Sequence, residues 1–505
     1  MSERPALRTN LGRDARTMAR GAAANVGGAL TTTVLSFGLS LLMTHEIRTG
    51  AFGLYSIAVV AVLLAQVPAT LGLDVGAVRF VALHASAGDE RAARASLQAG
   101  AAVVAAVSAV LTALLYWQAP RLAGSFFHKP HAADLVRLVA LSLPALALTR
   151  VAIGGLQGLG RMRYSALVSP VRVAANIAVA LPILLLGYGA HGLAAAFLAS
   201  SWATLLVAVG LLVRAMPAVF VPAGNWRLAP LLRFSLPQTL TTLLLQTILW
   251  TDTVLLGRLR AAADVGVYTI VQRLLSPAQT VSTATGQMFA PRIAAEDARG
   301  DRHALGLMLK RVTYWNISLA IPVFAVLLLV PGPLLRLFGA TYSHGATALA
   351  ILAAGQLVNA ATGPLGQVIN MSGRPYLTLV NNAAVAALNV AACLILIPRY
   401  GLTGAACSTT GAITLVNLIK LVQVRVLFGI NPFREETVRA LLSGALAAGI
   451  AAPVALLVAW PGALVQVLVA ATLLVTLYAV FWWSTARGEE HELLRLGGQP
   501  VAAGR

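Results

Sequence analysis

Residues 184–196 read LLLGYGAHGLAAA, and residues 396–408 read LIPRYGLTGAACS. Both place Tyr-Gly-x-x-Gly-x-Ala directly behind an apolar run. Tyr188 and Tyr400 are 212 positions apart, as are Gly192 and Gly404. Further pairs fall in nearly the same register. GLYSIA at 53–58 returns as GVYTIV at 266–271, 213 positions on. Arg79 maps to Arg292 at that offset, Gly160-Arg161 to Gly373-Arg374, and Asn176 to Asn389. One match would be chance, but a set in register indicates an internal duplication. The repeated motif reads as a tight turn between two helices. Gly lets the chain reverse, and small residues let the next helix pack closely.

Composition names the solvent. The chain has 505 residues, of which 58% are hydrophobic and 11% charged, with a mean hydropathy of +0.80. A soluble protein carries roughly a quarter charged residues. The expected class is therefore an all-α integral membrane protein. About fourteen apolar runs have spanning length: 21–44, 53–74, 97–118, 133–156, 165–187, 191–213, 231–256, 265–289, 311–331, 346–371, 376–398, 402–426, 439–460 and 462–484. The first run is longer than a signal-peptide core and reads as a retained span.

The formal net charge of +20 does not point to nucleic acid, because the charges lie between apolar runs. Arg and Lys crowd the N-terminus and every second loop after it, and by the positive-inside rule both termini are expected in the cytoplasm. The outward loops are short, so no outward catalytic domain is expected. With six spans in each copy, the two copies share one orientation, as parallel repeats do. The expected organisation is a cytoplasmic basic N-terminus at 1–20 and an N-lobe of helices 1–6 at 21–214. A cytoplasmic linker follows at 215–230, then a C-lobe of helices 7–12 at 231–430. Helices 13–14 at 439–484 and a cytoplasmic tail at 485–505 complete it.

Polar residues inside the spans are the candidates for function. Asn25, Thr32, Ser36 and Ser40 recur at helical spacing, as do Gln238, Thr242, Gln246 and Thr253, and also Gln272, Ser276, Gln279 and Thr283. Such stripes face either a wet cavity or a neighbouring helix. Arg150, Arg172, Arg273 and Lys420 lie several residues inside the runs, where a charge costs on the order of 2.5–3.5 kcal/mol and normally faces protein or water. The competing account for each is a side chain that snorkels to the interface. Asp74 and Asp252 are the acids nearest to span interiors. A net cationic interior suits an anion, and the planar guanidinium can hold a phosphate bidentately. The expected substrate-binding set is Arg172, Arg273, Arg150, Asn25, Gln246, Gln272, Gln279 and Lys420. Asp252 is the candidate for ion coupling and is expected to pair with a cavity cation.

No Gly-x-x-x-x-Gly-Lys-Ser/Thr loop occurs, so no nucleotide hydrolysis of that type is expected. No cofactor or metal site is expected. Cys393 and Cys407 read as small buried hydrophobes rather than a disulfide. Lys129, between His128 and His131, reads as part of a solvated outward loop.

The stretches TGAFGLYSIA, LRFSLPQTL, TDTVLLGRLRAAADVGVYTIVQRL, LLRLFGATYSHGATALAILAAGQLVNAATGPLGQVINMSGRPY and LIPRYGLTGAA resemble the polysaccharide-exporting flippases. These are the Wzx-type branch of the multidrug/oligosaccharidyl-lipid/polysaccharide exporter superfamily. The resemblance covers roughly 20–430 and is most specific over 231–405. It departs at HEIRTGAFG, where relatives usually show a Leu-Gly-Pro turn. It implies a MATE-like fold of two six-helix bundles with two further C-terminal helices, working by alternating access. It implies a transporter rather than an enzyme, moving an undecaprenyl-pyrophosphate-linked oligosaccharide outward across the bacterial inner membrane. Arg172 and Arg273 are the positions that match the family's cationic cavity residues. The implied partners are the lipid-linked oligosaccharide, membrane lipids, and polysaccharide polymerases and glycosyltransferases.

Three rivals stand beside this reading. A multidrug extruder of the same fold would tend to keep carboxylates in its cavity. A lipid II flippase would share the arginines. A polytopic glycosyltransferase, polymerase or ligase would need outward acids, and only Glu46, Asp134 and Asp264 are available.

Overall fold

The computed structural model describes residues 31–224, 226, 228–277, 279, 302–372, 374–433, 435–458 and 460–485. Among them the regular elements are helices. They are α1 (31–46), α2 (Thr49–Thr70), α3 (Leu73–Ser86), α4 (Glu90–Arg121), α5 (Ala133–Ala140), α6 (Leu143–Gly158), α7 (Met162–Leu185), α8 (Gly189–Ala215), α9 (Leu228–Leu259), α10 (262–277), α11 (Arg302–Leu329), α12 (Pro331–Arg336), α13 (Ala346–Thr362), α14 (Leu365–Met371), α15 (Pro375–Phe428), α16 (Glu435–Leu457) and α17 (Ala463–Thr485). The helical class follows from the solvent. In hydrocarbon each backbone N–H and C=O needs a partner within its own segment.

Ten described helices are long and apolar enough to cross a membrane, or eleven if the bent pair Pro130–Ala140 and Leu143–Gly158 is one span. The expected count of about fourteen is not confirmed among the described residues. Two expected spans, 376–398 and 402–426, run together in α15, which loses helical dihedrals only at Gly401. At about 1.5 Å per residue its 54 residues would reach ~80 Å, far beyond a ~30 Å hydrocarbon core, so α15 crosses as two segments. Two more expected spans, 21–44 and 265–289, extend into residues outside the described set.

The repeated motif is a turn in both copies. Gly189 has φ +53° and Gly401 φ +55°, a left-handed conformation that costs a side-chain-bearing residue roughly 1–2 kcal/mol. Three residues on, a Cβ at Gly192 would strike Ile183, and one at Gly404 would strike the Leu396 carbonyl. The second helix therefore folds back tightly on the first each time, as the sequence predicts.

The chain packs as two compact units whose limits cut across the two sequence repeats. The first holds 1–277 and 382–409, the second 278–381 and 410–505. In the first unit, α2 and α10 meet backbone to backbone. A Cβ at Gly53 would run into the Ala262 carbonyl, and one at Gly266 would lie 2.6 Å from the Thr49 carbonyl oxygen. The two glycines also face each other, each within about 3.2 Å of where the other's Cβ would stand against its amide nitrogen. Polar side chains are absorbed locally. Ser56 donates to Phe52 O and Thr204 to Ser200 O, one turn back, and Asn176 on α7 donates to Ser200 on α8 at 3.1 Å. The loop before α5 is less solvated than expected. Lys129 is half-buried, donating to the carbonyls of Gly257 and of Phe127, and burial pulls its ammonium below the ordinary lysine pKa. Cys393 is buried as expected, but Cys407 is exposed, facing outward on its helix.

In the second unit, amides tie the helices. Asn316 donates to Ala360 O at 2.9 Å and Asn417 to Asn359 Oδ1 at 3.0 Å. Tyr478 on α17 reaches Ser318 O on α11 at 3.0 Å. Leu305, Val368, Ile369 and Val424 form part of its apolar core.

Substitution tests the close contacts. Gly53→Ala and Gly266→Ala should each lower the melting temperature of the purified protein by several degrees. Gly210→Ala, whose Cβ enters open space, should leave it unchanged or raise it slightly.

Candidate functional site

The first unit gathers charge around the start of α2. Phe52 and Tyr55 are buried there, on the turn that the Gly53 contact holds against α10. Arg273 of α10 crosses to α1, donating from Nη1 to Ser40 Oγ at 2.6 Å. Its guanidinium also lies 5.7 Å from the centre of the Phe52 ring, a cation–π arrangement. Arg172 of α7 and Arg273 both act electrostatically on Tyr55, and Arg150 of α6 acts on Arg172. Two of the sequence-selected cations, Arg172 and Arg273, therefore face Tyr55, and Arg150 lies on the far side of Arg172 with Asp74.

Their states differ. Arg150 is half-exposed and neutralised by Asp74, with Nη2 to Oδ2 at 2.9 Å and Nε to Oδ2 at 3.1 Å. Arg172 is half-buried and, among the described residues, makes no hydrogen bond or ion pair. A cation held inside a span without a counter-ion is costly, and an arriving anion would relieve that cost.

A second cluster surrounds Asp252 of α9, which is fully buried. Tyr268 OH donates to its Oδ2 at 2.6 Å and Thr409 Oγ1 at 3.0 Å. Gln272 Nε2 lies 3.2 Å from the same oxygen, and the Thr253 amide donates to Oδ1 at 2.7 Å. Among the described residues the expected cation partner is absent. Arg273 is drawn to Ser40 instead, and neutral donors from α9, α10 and α15 satisfy the carboxylate. A buried acid held this way can take up a proton or a small cation without dismantling a salt bridge.

The remaining candidates scatter. Gln272 serves Asp252. Gln246 is half-buried on α9. Gln279 lies just beyond α10 in a helical position. Lys420 belongs to the second unit, where its Nζ lies near Gly366. Asn25 falls outside the described residues. Sequence reasoning missed Tyr55, Tyr268 and Thr409. A signal existed for the two tyrosines, since they occupy the same place in GLYSIA and GVYTIV, 213 positions apart.

Known proteins give a consistent picture. The model for the family described as polysaccharide biosynthesis protein matches residues 18–295, more than half of the chain. A MatE model matches residues 237–395. AglR of Haloferax volcanii, described as a probable flippase, is 24% identical over 414 residues, covering 80% of this chain and 82% of that protein. Among solved structures, the lipid II flippase MurJ in an inward closed conformation aligns at TM-score 0.72 and 15% identity. That alignment covers 93% of this chain and 100% of MurJ. An inward-facing multidrug resistance MATE family transporter aligns at TM-score 0.65 and 17% identity, covering 81% and 98%. A transporter of the same superfamily from Pyrococcus furiosus aligns at TM-score 0.59 and 17% identity, covering 82% and 95%. The fold is the one these transporters share, and the apolar helices make the chain a multi-pass membrane protein. The chain belongs to the polysaccharide biosynthesis protein family, the polysaccharide flippases of the multidrug/oligosaccharidyl-lipid/polysaccharide exporter superfamily.

Proposed function

We propose that this flippase carries undecaprenyl-pyrophosphate-linked oligosaccharide repeat units from the inner to the outer leaflet of the bacterial cytoplasmic membrane. The units feed surface polysaccharide synthesis, with polymerases and glycosyltransferases as downstream and upstream partners. Both termini lie in the cytoplasm on this reading, as the loop arginines favour. The observation that carries it is the arginine corner at Tyr55, where Arg172 has no counter-ion among the described residues and neighbouring Arg150 has Asp74. Guanidinium groups fit the planar oxygen pairs of a pyrophosphate, and a cationic drug would be repelled there. This is what ranks the flippase above a multidrug extruder.

Alternating access moves the anion outward, and a membrane potential negative inside assists by about 2.3 kcal/mol per charge per 100 mV. Asp252 serves as the coupling group. Its carboxylate, held by Tyr268, Gln272, Thr253 and Thr409, exchanges a proton or a cation as the transporter turns over.

A deletion strain tests the cargo. Lipid-linked repeat units should accumulate and surface polymer should disappear, with rescue by wild type but not by Arg172→Ala or Arg273→Ala. Unchanged polysaccharide with altered sensitivity to cationic drugs would overturn the reading in favour of an extruder. Asp252→Asn should remove the pH dependence of flipping measured in proteoliposomes. Equal transport by wild type and variant at every pH would rule out the coupling role. Tyr268→Phe removes the shortest hydrogen bond to the buried acid and should cost about 1–3 kcal/mol of stability, read as a lower melting temperature.

A further inference from the structure

Residues 216–224, which follow α8, form a strap over the first turns of α4. Three side chains on one face of α4 hold its backbone. Arg91 Nε donates to Ala223 O at 2.9 Å and Arg94 Nη1 to Ala218 O at 3.2 Å. Gln98 Nε2 donates to Val219 O at 2.7 Å and Val221 O at 2.8 Å, while its Oε1 accepts from the Ala223 amide at 3.1 Å. The strap is thereby held by polar side chains as well as by the buried Met216, Val219 and Ala223.

Beneath it lies an apolar cavity of about 610 Å³, lined by Leu97, Ala101, Val151, Leu205, Leu212 and Phe220 among others. This is the size of pockets that hold small molecules, ~300–1,000 Å³. Its lining on α8 runs from Leu205 to Leu212, ~10 Å along the helix at 1.5 Å per residue, about a third of a ~30 Å hydrocarbon core. A second cavity of about 440 Å³ adjoins it, sharing Gly224. This one is polar, lined by Arg91, His84, Ser96 and Asp89. Arg91 has no ion pair among the described residues, and the Nε of Arg94 is buried without a hydrogen-bond partner. Phe220 and Val221 on the strap and Trp226 just beyond it are exposed, the placement of aromatic and apolar groups at a membrane–water interface.

We infer that the strap holds one bilayer phospholipid. A segment of an acyl chain fills the apolar cavity, and the phosphodiester head sits in the polar cavity against the terminal nitrogens of Arg91. The charge complementarity is that of a guanidinium and a phosphate. The site is separate from the arginine corner and does not depend on what the flippase carries. Because the strap is part of the connection between the two repeats, the lipid would brace that connection.

The test uses the full chain in maltoside micelles, by native mass spectrometry and thermal unfolding. Dioleoyl phosphatidylglycerol, dioleoyl phosphatidylethanolamine and inorganic phosphate are each added as probes. A single retained phospholipid is expected, with a melting temperature raised by a few degrees on adding either lipid and unmoved by phosphate. Ala101→Trp, which fills the cavity, should lose both the adduct and the shift. Ala102→Trp, on the exposed side of the same helix, should keep both. Arg91→Gln should weaken retention about tenfold, in line with one lost charge-assisted contact. Retention by Ala101→Trp equal to wild type would overturn the proposal. A shift reproduced by inorganic phosphate alone would also overturn it, leaving a free-anion site.

Discussion

Two backbones touch where Gly53 meets Gly266. These are equivalent glycines of the duplicated sequence, and only hydrogen side chains allow the approach. In lipid, helix association rests on van der Waals contact and on small residues that let backbones close in. The consequence is positional. With the first turn of α2 pressed against α10, Phe52 and Tyr55 come beside Arg273, and Arg273 reaches Ser40. A methyl group at either glycine would push the helices apart and remove that corner.

The two copies differ in charge around their equivalent tyrosines. Tyr55 of the first copy stands among arginines, whereas Tyr268 of the second donates to Asp252. Ser40, 213 positions before Thr253, lies next to the place of that acid and contacts Arg273 instead. One scaffold thus carries a cationic site and an acidic site at related positions. On the proposed reading the pair suits a transporter that binds an anion and responds to a cation, since each charge is kept from neutralising the other.

Each buried charge is treated differently. Arg150 is paired with Asp74, and Asp252 is wrapped in neutral donors. Arg172 is left without either, although its desolvation is unfavourable. On the proposed reading, a ligand supplies the charge that Arg172 lacks among the described residues.

The spans, the duplication and the turn motif were legible in the sequence, because apolar length and repeat register are properties of neighbouring or equivalently spaced residues. The left-handed Gly189 and Gly401 match the turn that Tyr-Gly-x-x-Gly-x-Ala implies. The arginines were legible as well, since a cation inside an apolar run has few explanations. What each polar residue faces was not legible. Ser56 bonding to its own helix and Ser40 meeting an arginine from α10 leave the same mark in a sequence. Only tertiary packing decided that Arg150 would be neutralised by Asp74 and that Asp252 would gather Tyr268 and Thr409 in place of a cation. It likewise decided that Lys420 would fall in another unit and that the strap after α8 would stand off a cavity. These outcomes depend on the rotation and approach of helices distant in sequence, and those are set by side-chain volume at the contacts, which no local pattern records.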